Sequence, residues 1–166
     1  MTLDEIPSGQ RTIIDANIFI YHFTGNSEQC RRFLRRCEDG DLRAATSALV
    51  VAEVAHRLMM LEAVERELVT PGQVANKLRS RPEVVRQLRS FREQAERIPL
   101  IGVDVAAFDI ELFLRSATLR EQYGLLTDDS LIAATALRLD IRSLATADED
   151  FTRIEELDVY RPSDIG

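Results

Sequence analysis

The chain has 166 residues, of which 45% are hydrophobic, and a formal net charge of −7. This composition is that of an ordinary globular protein and excludes an intrinsically disordered chain. The negative net charge argues against a general affinity for nucleic acid. The chain contains neither an apolar run of membrane-spanning length nor a signal-peptide pattern in residues 1–10, so we expect a cytoplasmic protein without membrane contact.

The first third of the chain predicts two short strands, each followed by polar or small residues. Residues 11–14 form the first strand, and residues 27–39 form a helix that Gly40 ends. Residues 42–46 form the second strand, after which Ser47 caps a helix that runs to about residue 61. Cys30 and Cys37 lie on one face of the first helix, too far apart for a disulfide, so both are predicted to be reduced core residues.

The rest of the chain is predicted to form helices first and then to alternate between strands and helices. Thr70 is expected to cap a helix, with Gln73 completing a capping box, and Pro82 begins another. Thr127 is predicted as the cap of a late helix. The other predicted elements are strands at residues 98–103 and 157–160 and a helix at residues 105–123.

Strands separated by helices favour parallel pairing through right-handed crossovers. The sequence therefore predicts an α/β fold in a single domain spanning residues 1–166, with a central parallel sheet of about five strands flanked by helices. Residues 62–97 form an extended helical insertion within it.

Acidic residues recur at the ends of probable strands or inside apolar helices. They are Asp15, Glu53, the pair Asp128 and Asp129, and Asp148. In an open parallel sheet the carboxyl ends of the strands border one crevice, so Asp15 and Asp148 are expected to face the same crevice if their strands are neighbours. Carboxylates held together out of water usually require a cation, and oxygen ligands favour Mg²⁺ or Mn²⁺ over zinc.

Each acid, taken alone, also has a purely structural interpretation. Asp128 or Asp129 could complement the positive end of a helix, and Asp148 could be a turn residue. Asp15 could pair with a nearby arginine, Arg11 or Arg43. Glu53 is harder to explain in this way, because a lone Glu among apolar helical residues is expected to face the core.

Four segments together carry a resemblance to a known family. They are IDANIFIY from residue 14, TSALVVAEV from residue 46, DSLIAATA from residue 129 and LATADEDF from residue 144. In this order they resemble the PIN-domain nucleases, and most of all the VapC-type toxin ribonucleases.

This resemblance implies an Mg²⁺- or Mn²⁺-dependent endoribonuclease that hydrolyses RNA, with a protein antitoxin as its partner. It implies Asp15, Glu53, Asp129 and Asp148 as the catalytic, metal-binding quartet. The residues expected to support these ligands are Asn17, Thr146, Asp128 and Asp150.

Between Lys77 and Arg97 the chain carries an excess of basic residues, which makes this segment a candidate RNA-binding surface. Arg86 and Arg89 are the residues we expect to contact RNA phosphates. The alternative is a solvated or partner-facing surface, and a homodimer is expected.

Three competing functions remain open at this point. A haloacid-dehalogenase-type phosphatase fits poorly, because Asn17 stands where that class has a second Asp and Lys77, the only lysine, lies far along the chain. The other two keep the PIN fold: a solitary RNA-processing nuclease without an antitoxin, and a catalytically silent RNA- or protein-binding module. Retention of all four acids speaks against the silent module.

Overall fold

The structure is a computed structural model that describes residues 1–165. The strands are β1 (Arg11–Ile14), β2 (Arg43–Ser47), β3 (Val103–Ala106), β4 (Ser143–Ala145) and β5 (Asp158–Tyr160). The helices are α1 (Ala16–Phe23), α2 (Glu28–Glu38), α3 (Ala48–Glu65), α4 (Val74–Arg79), α5 (Pro82–Val85), α6 (Ser90–Glu96), α7 (Ile110–Tyr123) and α8 (Thr127–Arg138).

The five strands form one parallel sheet in the order β3-β2-β1-β4-β5, which confirms the predicted α/β fold. Strand β1 lies at the centre, with Ile13 paired to Ala45 on one side and Leu144 on the other. Since β1 and β4 are neighbours and parallel, their carboxyl ends open at the same edge of the sheet. Asp15 and Thr146, the residues that follow these two strands, therefore meet.

The core lies between the sheet and the helices that cross it. Helix α2 contributes Cys30, Phe33 and Cys37, all essentially inaccessible to solvent. Both thiols are free, as predicted, and burial raises the pKa of Cys30 to about 11 and that of Cys37 to about 12. Both cysteines are therefore unionised packing residues.

The third strand is not where the sequence predicted it. Residues 98–100 form a 3-10 turn instead, because Pro99 has no N–H to donate to a ladder and Ile98 is buried. The strand starts at Val103, directly after Gly102. Gly102 has a φ of 74° and lies so close to α2 that a Cβ there would be 2.5 Å from the Cys37 carbonyl oxygen. Helix α7 consequently begins at Ile110, capped by Asp109, rather than at residue 105.

Two predicted helix starts are also wrong. Lys77 Nζ donates to the Thr70 hydroxyl oxygen at 2.8 Å, and α4 begins only after Gln73, which has a φ of 49°. Thr127 is the first residue of α8 rather than its cap, and Leu126 holds the cap position without a side-chain bond. Helix α1 was not predicted at all, since its first turn follows β1 without any intervening loop.

The segment that carries α4, α5 and α6 packs on α3 through a buried carboxylate. Glu62 accepts hydrogen bonds at 3.0 Å from the backbone N–H groups of Arg89 and Phe91, at the start of α6. Arg66 donates to the same side chain at 3.0 Å. Although burial opposes ionisation, these bonds together hold the pKa of Glu62 below its usual range, so it is a charged, fully partnered structural residue.

Within residues 1–165, none of the helices combines the length and the apolar character that crossing a membrane requires.

Candidate metal centre

Asp15 is the most enclosed acid of the site, with 6% of its surface exposed. It caps α1, and its Oδ1 accepts the N–H of Ala16 at 2.6 Å. Its Oδ2 accepts the Thr146 hydroxyl at 2.6 Å and the Asn17 amide at 2.5 Å. These donors fix the orientation of the carboxylate and stabilise its charged form.

Thr146 and Asn17 also hold the loop that follows β4. The Thr146 hydroxyl oxygen accepts the N–H of Asp148 at 3.0 Å, and Asn17 Oδ1 accepts the N–H of Ala147 at 3.0 Å. The two side chains predicted to support the ligands thus lie between Asp15 and Asp148. Their bonds set the position of the second acidic segment relative to the first.

A compact cluster of carboxylates lies beside this loop. One oxygen from each of Asp129, Asp148 and Asp150 lies within 4.8 Å of the other two, and all three residues are half-buried. Asp148 Oδ1 accepts the N–H of Asp150 at 2.8 Å, and Arg153 donates to Asp150 Oδ1 at 2.5 Å. Asp150, which the sequence placed among the supporting residues, therefore lies, like Asp148, within 4.8 Å of Asp129.

Glu53 does not face the core as the sequence suggested. It is half-exposed on α3 and pairs with Arg57, one turn further along, at 3.4 Å. A small cavity of about 100 Å³ lies between α3 and α8, lined by both Glu53 and Asp128. The buried acid of α3 is Glu62, whose role in holding α6 the sequence did not reveal.

The carboxylates influence each other's ionisation. Burial raises the pKa of Asp15 to about 6 against the opposing hydrogen bonds from Thr146 and Ala16, and the charges of Glu53 and Asp129 add to the increase. Burial likewise raises the pKa of Asp129 to about 6, assisted by the charges of Asp148, Asp150, Asp128 and Glu53. The charges of Glu53 and Asp129 thus act on Asp15, and those of Asp148 and Glu53 act on Asp129, which is consistent with carboxylates that lie near one another.

The donor set fits a hard divalent cation. All the ligand groups are carboxylate oxygens, which suit Mg²⁺ and Mn²⁺, and the cluster around Asp129 is near enough for one ion to contact several of them. Within residues 1–165 no arginine pairs with Asp15, since its partners are Ala16, Asn17 and Thr146 rather than Arg11 or Arg43. The crevice therefore carries an excess of negative charge that a cation would offset.

Arg86 and Arg89 lie away from this crevice. The backbone of Arg89 is bonded to Glu62, which stands nine residues after Glu53 on α3. Nine residues rotate a helix by about 180°, so the corner between α5 and α6 lies on the opposite side of α3 from Glu53. Any RNA contact by these arginines must therefore be distant from the acids.

Comparison with known proteins agrees with this geometry. A family model described as the PIN domain matches residues 12–157, so the chain belongs to the PIN-domain family. No curated protein matches the sequence.

Two solved structures resemble the fold. One is a toxin-antitoxin complex from Klebsiella pneumoniae, 23% identical, covering 89% of this chain and 95% of that one, with a TM-score of 0.55. The other is VapBC2 from Rickettsia felis bound to a DNA fragment from its promoter, 16% identical, covering 93% of this chain and 100% of that one, with a TM-score of 0.59.

Proposed function

We propose that the protein is a metal-dependent endoribonuclease and the toxin of a type II toxin–antitoxin pair. Membership of the PIN-domain family supports nuclease activity. The observation that carries the proposal is the cluster of Asp129, Asp148 and Asp150 within 4.8 Å, beside a buried Asp15 that no cationic side chain neutralises.

In this proposal Asp15, Glu53, Asp129 and Asp148 hold Mg²⁺ or Mn²⁺, and Asp150 stands near enough to join them. The chemistry that a bound divalent ion supplies is activation of water near neutral pH and stabilisation of charge on the phosphate oxygens. No side chain needs to form a covalent intermediate, so the protein groups act by binding and orientation.

The contribution of each residue follows from its contacts. Asp15 is fixed by three donors, and its carboxylate cannot rotate without breaking the bonds from Thr146 and Asn17. Asp129 stands in the first turn of α8, where the helix dipole favours its negative charge. Glu53 is less constrained, because its pairing with Arg57 is exposed and easily exchanged for a ligand.

The activity is tested by incubating end-labelled single-stranded and structured RNA with the protein and Mg²⁺, Mn²⁺ or EDTA. We expect cleavage with either ion, none in EDTA, and none with Asp15→Asn or Asp129→Asn, which keep the shape of the side chain but remove its charge. Cleavage by the wild-type protein that persists in EDTA would contradict the proposal.

The proposed antitoxin is a protein, and the structural likeness to a toxin-antitoxin complex supports it. Purification of the tagged chain expressed with the neighbouring reading frame tests this partner. We expect a small protein to co-purify and to suppress RNA cleavage. An active nuclease without such a neighbour would instead be a solitary RNA-processing enzyme.

We also propose that the protein forms a homodimer. Helix α7 packs chiefly against α8 and leaves Ile110 and Leu114 exposed by 70% and 64%, an apolar surface that association would cover. Light scattering of the wild-type protein should give the mass of two chains, and Leu114→Asp should shift it towards one. A wild-type monomer at high protein concentration would contradict the dimer.

A further inference from the structure

Three neighbouring strands, β1, β4 and β5, end in one row at the edge of the sheet that carries the acids, and their last residues pair in register. The ladder continues one step further. Asp15 donates its N–H to the Ala145 carbonyl at 3.0 Å, and Thr146 donates its N–H to the Tyr160 carbonyl at 3.0 Å. The residues that follow the three strands, Asp15, Thr146 and Arg161, are therefore neighbours in this order.

Arg161 is held in this row from its other side by residues 1–3. Its backbone N–H donates to the Met1 carbonyl at 2.9 Å, and its carbonyl accepts the N–H of Leu3 at 3.1 Å. The Leu3 side chain is fully buried. Arg161 lies outside residues 12–157, the part of the chain that the PIN-domain model matches. Its backbone is thus a fixed point, supplied by a flanking segment, from which the side chain extends.

The Arg161 side chain reaches the residue between Asp148 and Asp150. Its Nη1 donates to Glu149 Oε1 at 2.6 Å, and the guanidinium makes no other hydrogen bond within residues 1–165. The Arg161 side chain is 37% exposed, and its Nε is buried without an acceptor in the same part of the chain. A partly enclosed cation is costly without a partner, so the placement of this guanidinium depends on Glu149.

Few contacts from the rest of the protein hold the loop at residues 147–150. In the part of the chain that the structure describes, two side chains from outside residues 146–153 form hydrogen bonds with it, Asn17 and Arg161. Asn17 approaches from the side of β1, and Arg161 approaches from the side of β5. The loop that carries Asp148 and Asp150 is therefore fastened at two points, one on each side.

We propose that Arg161 is a positioning residue that, through Glu149, holds Asp148 and Asp150 where one divalent cation can contact them together with Asp129. The inference rests on the proposed metal-dependent function and adds a residue to its site. Mg²⁺ requires its oxygen ligands at about 2.0–2.1 Å in near-octahedral geometry, so a small displacement of the loop removes ligands from reach. Residues that orient metal ligands contribute to affinity although they do not touch the ion.

A purely electrostatic role would have a different signature. Arg161 is a positive charge near the acids, so its removal alone would favour a bound cation, whereas removal of the Glu149 charge would disfavour one. If the pair acts by position, loss of either member weakens metal binding. The direction of the change in Arg161 variants therefore separates the two roles.

Calorimetric titration with Mn²⁺ compares the wild-type protein with Arg161→Met and Glu149→Ala. Arg161→Met keeps the apolar stem of the side chain, and Glu149→Ala shortens a side chain that is 74% exposed. Each should weaken Mn²⁺ binding about tenfold, the lower end of the range for residues that orient metal ligands. The double variant should lose no more than either single variant, because both changes remove the same contact.

Arg142→Met is the matched control. Arg142 also forms an exposed ion pair with a residue of β5, Asp158, at 3.6 Å, but at the amino end of the strand. The substitution removes one positive charge without touching the acidic loop, so Mn²⁺ affinity should equal that of the wild type. Exposed ion pairs contribute little to stability, so the melting temperatures of all variants in EDTA should stay within about 3 °C of the wild type.

Hydrogen exchange in EDTA provides a measurement that does not depend on a metal ion. The amides of residues 147–153 should exchange faster in Arg161→Met and Glu149→Ala than in the wild type, because the loop loses one of its two fastenings. The amides of α8, which carries Asp129, should exchange at the wild-type rate. This result would show that the change is confined to the loop.

The inference is overturned if Arg161→Met binds Mn²⁺ as tightly as the wild type or more tightly, or if exchange in the loop is unchanged. Losses of affinity that add in the double variant would also overturn it. A wild-type protein that binds no Mn²⁺, with faster loop exchange in both variants, would remove the proposed metal function alone. Saturable Mn²⁺ binding that neither variant alters would remove the role of Arg161 alone.

Discussion

The hydroxyl of Thr146, after β4, donates a 2.6 Å hydrogen bond to the carboxylate of Asp15, after β1. The two residues are 131 positions apart in the sequence, and the parallel pairing of their strands brings them together. Burial raises the pKa of Asp15 to about 6, and this bond opposes the increase. Thr146 thus keeps an enclosed carboxylate available as a ligand near neutral pH.

Thr146→Val should impair the site while preserving the fold, because it keeps the shape of the side chain but removes the hydroxyl. Loss of the bond raises the pKa of Asp15, so the acidic limb of the pH–activity profile should move to higher pH. Metal affinity should fall by about tenfold to a hundredfold, as for other residues that orient metal ligands.

Thr146→Ser should restore most of the function, since it returns the hydroxyl. Thr135→Val is the matched control, because Thr135 is also buried but bonds the Leu131 carbonyl within α8. An unchanged pH profile in Thr146→Val would show that the hydroxyl does not tune Asp15.

Asp129→Asn should stabilise the metal-free protein above about pH 6. The pKa of Asp129 is about 6 in the folded protein, against an unperturbed value of 3.8, so the folded state binds its proton more tightly than the unfolded chain. The stability associated with this site is complete below about pH 4 and is lost as the pH rises through about 6.

Thermal melts in EDTA across this range measure the effect. The melting temperature of Asp129→Asn should exceed that of the wild type at pH 7.5, and the two should converge near pH 4. Saturating Mg²⁺ should reverse the order at pH 7.5, because binding to the native state alone stabilises it by about 2.7 kcal/mol at one hundred times the dissociation constant. Parallel curves at all pH values would contradict the charge repulsion.

Asp150→Asn should reduce the stabilisation by Mg²⁺ more than Asp128→Asn does. The sequence placed both among the supporting residues, but the structure places Asp150 within 4.8 Å of Asp129 and Asp148 and leaves Asp128 exposed. Thermal melts of both variants with and without Mg²⁺ measure this difference as the gain in melting temperature. A larger loss of stabilisation in Asp128→Asn would show that Asp128, rather than Asp150, is the additional metal ligand.

Arg86→Glu combined with Arg89→Glu should weaken binding of long RNA and spare short substrates. Both arginines are exposed and lie on the far side of α3 from Glu53, so only an RNA long enough to pass around the helix can reach them. The slope of the logarithm of the binding constant against the logarithm of the salt concentration should become shallower by roughly 0.7 per lost phosphate contact on a single strand. An unchanged salt slope for long RNA would make this corner a solvated or partner-facing surface.

The sequence predicts the centre of this fold better than its margins. Arg11–Ile14 was predicted at its observed limits, because a short apolar run ending at an acid has few alternatives. Strand β3 is at the edge of the sheet and buries only Val103, while Asp104 and Val105 are exposed, so its pattern is weak beside the more apolar residues 98–101. Ile98 and Ile101 are apolar because they pack in the main core, and a local pattern does not distinguish this packing from pairing in a sheet.

The sequence predicted which residues belong to the candidate site but not how close together they lie. Asp15, Glu53, Asp129 and Asp148 stand at strand ends or in an apolar helix, and each could be recognised there. The proximity of Asp150 depends on a loop in which Asp148 accepts the N–H of Asp150, a bond that the spacing of two residues permits but does not require. Likewise, the different environments of Glu53 and Glu62 on one helix depend on what packs against each side of α3.

Calorimetric titration of the metal-free protein with Mn²⁺ tests the central claim most directly. We predict saturable binding to the wild-type protein at neutral pH, weakened strongly by Asp15→Asn and Asp129→Asn and little changed by Glu65→Gln, an exposed acid at the end of α3. Absence of saturable binding to the wild-type protein, or equal affinity in Asp129→Asn, would contradict the assignment of these carboxylates as the metal centre.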